Sequence, residues 1–148
     1  MKKFQFRFQT ILDIRARELE KAELKVAEAQ MELNKATEKL NQLKEKLKNT
    51  RQNLKTIIST GEVIDIVLVN NHHNYISSLK RKIFYQHRTI EEKEDILNTK
   101  RQEMLKIRQK KMMLEKLKEK DLKAYLNELE HIDRKMIDEI ATNRHFQR

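Results

Sequence analysis

The chain has 148 residues with no Pro, Cys or Trp and one glycine, charged residues make up 38% of it, and its net charge is +10. This composition is typical of a long helix or coiled coil and leaves too little apolar surface for a round core. The absence of cysteine excludes disulfides and cysteine-ligated zinc, so we expect a reducing, cytoplasmic compartment. No stretch approaches the roughly 20 apolar residues of a membrane span.

The first predicted helix, at about residues 6–59, has an apolar residue at every seventh position. The a positions are Leu12, Leu19, Val26, Leu33, Leu40, Leu47 and Leu54, and the d positions include Ala22, Ala29, Ala36 and Leu43. Six heptads without a miss predict a coiled coil. The helix is expected to end near Ser59, because Gly61 enters the left-handed conformation without steric cost.

Residues 60–74 are predicted to form the tip of a hairpin. A β-branched apolar run is followed by three asparagines, Asn70, Asn71 and Asn74, which offer N-caps for a second helix. His72 and His73 are adjacent and have no third ligand at metal spacing, so they are interpreted as a solvated loop.

The second predicted helix covers about residues 75–144 and resumes the heptads. Its a positions are Ile76, Ile83, Ile90, Leu97 and Met104, with Leu79, Ile107 and Leu114 among the d positions. After a change of step near residue 118, the apolar stripe continues through Leu122, Tyr125, Leu129, Ile132, Met136 and Ile140.

Two such seams can fold back on each other or pair between chains as a dimer. The antiparallel alternative places small residues of one helix opposite large residues of the other. Its best register pairs Leu54 with Leu79 and sets Lys93 against Leu40, with the lysine stem covering the leucine. A register shifted by one heptad is the alternative, because Leu33 and Leu40 would otherwise face Lys100 and Lys93. The sequence therefore predicts an all-α, antiparallel two-helix coiled coil, a monomeric single domain over residues 1–148.

The same register places Phe8 opposite Tyr125. Roughly the last 20 residues would then lack an intramolecular partner over about 30 Å. One interpretation is that Phe4, Phe6 and Phe8 fold over this stripe, or that the end frays. The other is that an uncovered apolar helix face enters a groove or pore in a partner.

Residues 100–123 hold ten Lys or Arg against four acidic side chains. They form either the solvated face of a charged helix or an electrostatic handle for an acidic protein, nucleic acid or anionic lipid. The basic residues do not alternate with stacking aromatics, which disfavours a nucleic-acid binder. No Gly-rich phosphate loop is present, so we expect no enzyme activity and no cofactor, and any ATPase activity would belong to a partner.

The segment KKMMLEKLKEK at residues 110–120, followed by Tyr125, Glu128 and the sequence DEIA at 138–141, resembles the bacterial flagellar export protein FliJ family. The start of the chain is similar to the family as well, since Phe4, Phe6, Phe8, Leu12 and Arg15 precede an alanine-rich heptad helix. The resemblance extends over nearly the whole chain.

This resemblance implies a soluble component of the flagellar type III export apparatus at the cytoplasmic face of the membrane. Members are antiparallel coiled coils similar to the central stalk of rotary ATPases. They insert into the hexameric ring of the export ATPase FliI and promote its assembly, and they also contact the export gate protein FlhA and escort export chaperones. Peripheral membrane association through these partners is expected.

Candidate contact residues follow from the overhanging stripe and the resemblance together. For the ATPase they are Phe4, Phe6, Arg15, Lys110, Lys111, Lys116, Lys118, Tyr125, Leu129, Ile132, Met136 and Ile140. For the export gate they lie on the tip-proximal half of the hairpin and are Gln52, Lys82 and His87. A generic cytoplasmic coiled-coil scaffold and a basic nucleic-acid-binding coiled coil remain the alternatives.

Overall fold

The structure is a computed structural model that describes residues 3–61 and 63–146. Two helices, α1 (Gln9–Ser59) and α2 (Ile66–Phe146), contain most of these residues and pack against each other as a helical hairpin. No strand occurs in the described ranges. The all-α hairpin prediction is therefore confirmed. Neither described helix is long and apolar enough to cross a membrane.

α1 ends at Ser59, as predicted. The Ser59 hydroxyl donates to the backbone carbonyl of Thr56 over 3.3 Å, and the Thr60 hydroxyl donates to that of Ile57 over 3.1 Å. These hydroxyls satisfy carbonyls that the last turn of a helix leaves without an amide partner. Gly61 follows with a φ of 69°, where a side chain would be strained.

α2 begins at Ile66, earlier than the predicted start near residue 75. Asp65 is the N-cap, because its Oδ1 accepts hydrogen bonds from the backbone amides of Val67 at 2.9 Å and Leu68 at 3.3 Å. The prediction that the later asparagines cap this helix is wrong, because an aspartate directly before the apolar run satisfies the first amides sooner. His72, expected in a loop, lies within α2 and donates from Nδ1 to the Leu68 carbonyl over 2.9 Å.

Residues Glu23–Glu103 form one compact unit, the tip unit, and its predicted seam positions are covered. Leu79 is only 1% exposed. The other buried apolar residues of this unit are Ala36, Leu40, Leu43, Leu54, Ile76 and Leu97. Each occupies a predicted a or d position, so the heptad assignment is confirmed here.

The pairing of the two helices in the tip unit differs from the predicted register. Lys93 Nζ lies 3.9 Å from Glu32 Oε2, whereas the prediction placed Lys93 opposite Leu40. Gln86 Nε2 donates to the backbone carbonyl of Ala36 over 2.8 Å, also nearer the start of α1 than predicted. The contacts are displaced by roughly one heptad, a shift that keeps a and d positions in the seam.

The early start of α2 explains this displacement. The tip is residues 60–65 rather than 60–74, so its centre moves towards the N-terminus by about four residues. Because an antiparallel hairpin pairs residues symmetrically about its turn, this moves the expected partner of an α2 residue about eight positions earlier in α1, as the Lys93–Glu32 contact shows. The incorrect prediction of the N-cap and the incorrect prediction of the register therefore have the same cause.

Residues Met1–Ala22 and Met104–Arg148 form the second compact unit, the terminal unit. Its buried apolar residues are Phe6, Leu12, Leu19 and Ala22. Along α2 in this unit, Met104, Ile107, Leu114, Tyr125 and Leu129 are half-buried. From residue 130 to residue 146 every residue is exposed. Within this unit, the apolar stripe of α2 thus extends beyond the part of the helix that other residues cover.

Candidate partner-binding surfaces

The aromatic N-terminal segment packs against α2. The rings of Phe4 and Tyr125 lie 5.6 Å apart at an interplanar angle of 45°. Phe6 is 7% exposed and meets Phe8 edge to face at 5.9 Å, while the Arg7 guanidinium lies 5.3 Å from the Phe8 ring centre. Aromatic and cation–π contacts of this kind hold a non-helical segment in place. Phe6 therefore has little surface left to offer a partner.

The terminal unit is also displaced from the predicted register. Tyr125 meets Phe4 rather than Phe8, and Lys118 Nζ donates to Gln9 Oε1 over 2.8 Å. α1 begins at Gln9, so the residues before it are non-helical and advance further per residue than a helix does. Phe4 therefore covers the stripe at Tyr125, in line with one of the two interpretations, but the stripe continues beyond it.

Residues 130–146, here called the exposed end, are a helix with an uncovered apolar face. Ile132, Met136 and Ile140 are 40%, 60% and 57% exposed and continue the spacing of the seam. Ile137 and Phe146 add further exposed apolar surface. Contiguous apolar surface of this kind on a helix is typical of a binding site.

The four lysines predicted to bind the ATPase differ in their surroundings. Lys111 lies 3.6 Å from Glu115 and is half-buried, and the half-buried Lys118 donates to Gln9. Lys110 and Lys116 are exposed. A partner therefore meets Lys110 and Lys116 more readily than the other two.

Two further features adjoin these basic residues. Lys110 and Lys116 line an open groove of α2 together with the exposed Met112 and Met113. On α1, Arg15 Nη1 donates to Glu18 Oε2 over 2.7 Å and is half-buried. The charge of Arg15 is thus partly neutralised by the Glu18 carboxylate. The groove lined by Lys110, Lys116, Met112 and Met113 instead offers a partner exposed surface with flexible apolar side chains.

The three predicted gate residues lie on two helices of the tip unit. Gln52 lines a groove of α1 with Leu47 and Leu54. Lys82 and His87 are exposed on α2. Both lie three residues from a member of an exposed aromatic pair, Phe84 and Tyr85, and so share a helix face with it.

Metal chemistry finds no support in residues 3–61 and 63–146. No group of three or more His, Cys, Asp or Glu side chains in these ranges is placed to hold a metal ion. His72 is turned to the Leu68 carbonyl of its own helix. The surfaces that stand out are apolar and basic, which suits protein or lipid partners.

The comparison with known families matches this architecture. The family model described as "Flagellar FliJ protein" matches residues 4–148, nearly the whole chain. The chain belongs to the flagellar FliJ family. Membership makes it a component of flagellar type III export. No curated protein and no solved structure matches this FliJ-family chain.

Sequence reasoning missed two exposed apolar pairs of this FliJ-family protein. Phe84–Tyr85, with ring centres 5.6 Å apart, and Met112–Met113 lie outside the seam. The signal was available, because both pairs occupy heptad positions b and c, where a coiled coil normally carries polar residues. An apolar pair at b and c costs solubility without stabilising the seam, so it indicates a contact surface.

Proposed function

We propose that this FliJ-family protein is a stalk-like coiled coil whose exposed end inserts into the hexameric ring of the export ATPase FliI and promotes ring assembly and ATP hydrolysis. One observation carries the proposal. Ile132, Met136 and Ile140 extend the apolar stripe of the seam yet remain 40–60% exposed in the free chain. A ring whose pore offers an apolar contact to this face is the kind of partner that would cover it.

The energetics favour insertion of a preformed helix. Burial of apolar side chains contributes about 25 cal/mol for each Å2 removed from water. Because α2 is already helical to Phe146, binding does not have to order the backbone first. The exposed end can therefore bind through Ile132, Met136 and Ile140 without prior folding.

The basic groove supports a role in steering. Lys110 and Lys116 are exposed and lie beside Met112 and Met113. Exposed positive charge accelerates association with an acidic surface and does so less as salt screens it. We expect Lys110→Glu with Lys116→Glu to slow binding to the ATPase and to weaken its salt dependence, as measured by stopped-flow or surface-based kinetics.

The test of this function is a full-length variant in which the exposed end is made polar. Its substitutions are Ile132→Ser, Met136→Ser and Ile140→Ser. The matched control removes three equally exposed apolar residues of the tip unit through Leu24→Ser, Met31→Ser and Ile96→Ser. ATP hydrolysis by FliI and ring formation by electron microscopy are measured with each protein, and circular dichroism checks helicity.

We expect the exposed-end variant to lose stimulation and ring formation, whereas the control retains both. Helicity should be unchanged in each, because all six residues are exposed. Full activation by the exposed-end variant would remove the stalk role of this end. An equal loss in both proteins would point to a general requirement for surface apolarity.

The proposal extends to the gate protein FlhA and the export chaperones, which the same chain would link to the ATPase. Phe84 and Tyr85 carry the gate assignment, because aromatic side chains supply large contact area at low entropic cost. Lys82 and His87 share their helix faces. Chaperones would be held near the gate while the exposed end engages the ring.

The gate assignment is tested by pull-down with the cytoplasmic domain of FlhA. Phe84→Ala with Tyr85→Ala should abolish binding, and Lys82→Ala or His87→Ala should weaken it. Leu24→Ala with Met31→Ala is the control for lost apolar surface. If Gln52→Ala alone weakens binding, the gate contacts α1 and the aromatic pair serves another partner.

A further inference from the structure

The tip carries an apolar patch that the rest of the chain leaves uncovered. Val63, Ile64, Ile66, Val67 and Leu68, here called the tip patch, are 40% to 101% exposed. They follow one another along the chain where it enters the first turn of α2. A soluble protein rarely exposes five large aliphatic residues within six positions without a contact to cover them.

The end of α1 that leads into the tip patch is positively charged. Residues 46–58 contain four Lys or Arg and no acid, whereas residues 59–79 contain two acids, Glu62 and Asp65, and no Lys or Arg. The Asp65 carboxylate accepts two backbone hydrogen bonds at the start of α2, where it is balanced by the positive end of the helix dipole. The four basic residues at the end of α1 outnumber these two acids, so the net charge of this region favours an anionic partner.

Three of these basic residues, here called the collar, lie behind the patch along one groove of α1. Lys55, Arg51 and Lys48 precede the end of α1 at Ser59 by about 6, 12 and 16 Å along the helix axis. They line one open groove of α1 with Leu54 and the half-exposed Ile58. On α2 the corresponding turns carry asparagine and histidine and no acid.

We propose that the tip binds directly to the surface of a bilayer that contains anionic lipids. The tip patch enters the boundary between headgroups and acyl chains, Lys55 reaches the lipid phosphates, and Arg51 and Lys48, one and two turns further along α1, face the anionic surface. Aliphatic insertion and phosphate attraction reinforce each other, because neither alone gives stable binding. This contact is independent of the proposed ATPase role and does not require a protein partner.

Charge complementarity distinguishes a lipid surface from a second copy of the chain. Two tips brought together would place two basic collars next to each other, and like charges oppose such a contact. An anionic bilayer presents many phosphates and a hydrophobic layer within reach of both features.

The test is flotation of the full-length protein with vesicles. Vesicles of phosphatidylcholine with phosphatidylglycerol should bind the protein, and vesicles of phosphatidylcholine alone should bind it much less. Raised salt should reduce binding to the anionic vesicles, since the screening length falls. Equal binding to both compositions, or none to either, would overturn the proposal.

Two sets of variants separate the patch from the collar. The patch set is Val63→Ser, Ile66→Ser and Val67→Ser, with Leu24→Ser, Met31→Ser and Ile96→Ser as its control. The collar set is Lys48→Gln, Arg51→Gln and Lys55→Gln, with Lys21→Gln, Lys25→Gln and Lys39→Gln as its control of equal net charge. Each collar substitution should lower the partition coefficient about fivefold, and the controls should change it little.

A tryptophan at the tip reports insertion directly, because the chain contains no other tryptophan. The fluorescence of a Val63→Trp variant should shift to the blue on anionic vesicles and be quenched by brominated acyl chains, whereas that of Ile96→Trp should not. Vesicle binding that survives both variant sets overturns the proposal. So does a tip-dependent dimer seen by sedimentation without lipid, which would make a second copy the occupant.

Discussion

The seam of the tip unit and the exposed end carry similar residues with opposite burial. Leu79 is 1% exposed and Met136 is 60% exposed, although both belong to the apolar stripe of α2. Hydrophobic periodicity thus reports that a helix has an apolar face and does not report whether the chain covers it. Where the face is covered it stabilises the fold, and where it is uncovered it remains available for binding.

The largest change in stability is expected in the buried seam of the tip unit. Leu79→Ala should lower the free energy of unfolding by about 2–5 kcal/mol, because it leaves a cavity in a closed seam. Leu24→Ala, at an exposed position of α1, should change it by less than about 0.5 kcal/mol. Urea unfolding followed by circular dichroism measures both. Similar small losses would mean that the seam is loosely packed.

The next largest effect is expected at the N-cap of α2, at the opposite end of this helix from the exposed end. Asp65→Ala should cost about 1 kcal/mol, because the amides of Val67 and Leu68 lose their acceptor. Asp65→Asn retains a side-chain oxygen at this position and should cost much less. Hydrogen exchange should show the loss of protection confined to the first turns of α2. Protection lost equally along the whole helix would contradict a local cap.

Gln86 is a buried polar residue in the seam, and it ties the helices to one register through the Ala36 carbonyl. Gln86→Leu should raise stability by up to about 1 kcal/mol while relaxing the register, as polar seam residues do in coiled coils. Intramolecular crosslinking reads out the register. Cysteines at Glu32 and Lys93 should crosslink in the parent, and cysteines at Leu40 and Lys93 should gain yield only with Gln86→Leu.

Substitutions in the exposed end should have the smallest effect on folding. The combined Ile132→Ser, Met136→Ser and Ile140→Ser substitutions should change the free energy of unfolding by less than about 0.5 kcal/mol, since these side chains are already 40–60% exposed. Thermal and urea unfolding of this variant beside the parent measure the change. Destabilisation as large as that of Leu79→Ala would show that the exposed end is covered in solution and would contradict the comparison.

Several features were predictable from the sequence because they depend on residues close together in the chain. The heptads of α1 and the heptad spacing of Ile76, Leu79 and Leu97 in α2 predicted the seam. These three residues of α2 are buried. Gly61 predicted where α1 ends. The ATPase, gate and chaperone contacts stay predictions, which the variants above address.

Only the tertiary structure decided which residues pair and where coverage stops. The start of α2 depends on local sequence, because Asp65 directly before the apolar run caps the first amides. A shift of one heptad still sets a and d positions against each other, and contacts such as Gln86 with Ala36 fix the register only once the helices meet. The sequence thus determined two amphipathic helices and a turn, while the length of that turn, through the packing it permits, determined the rest.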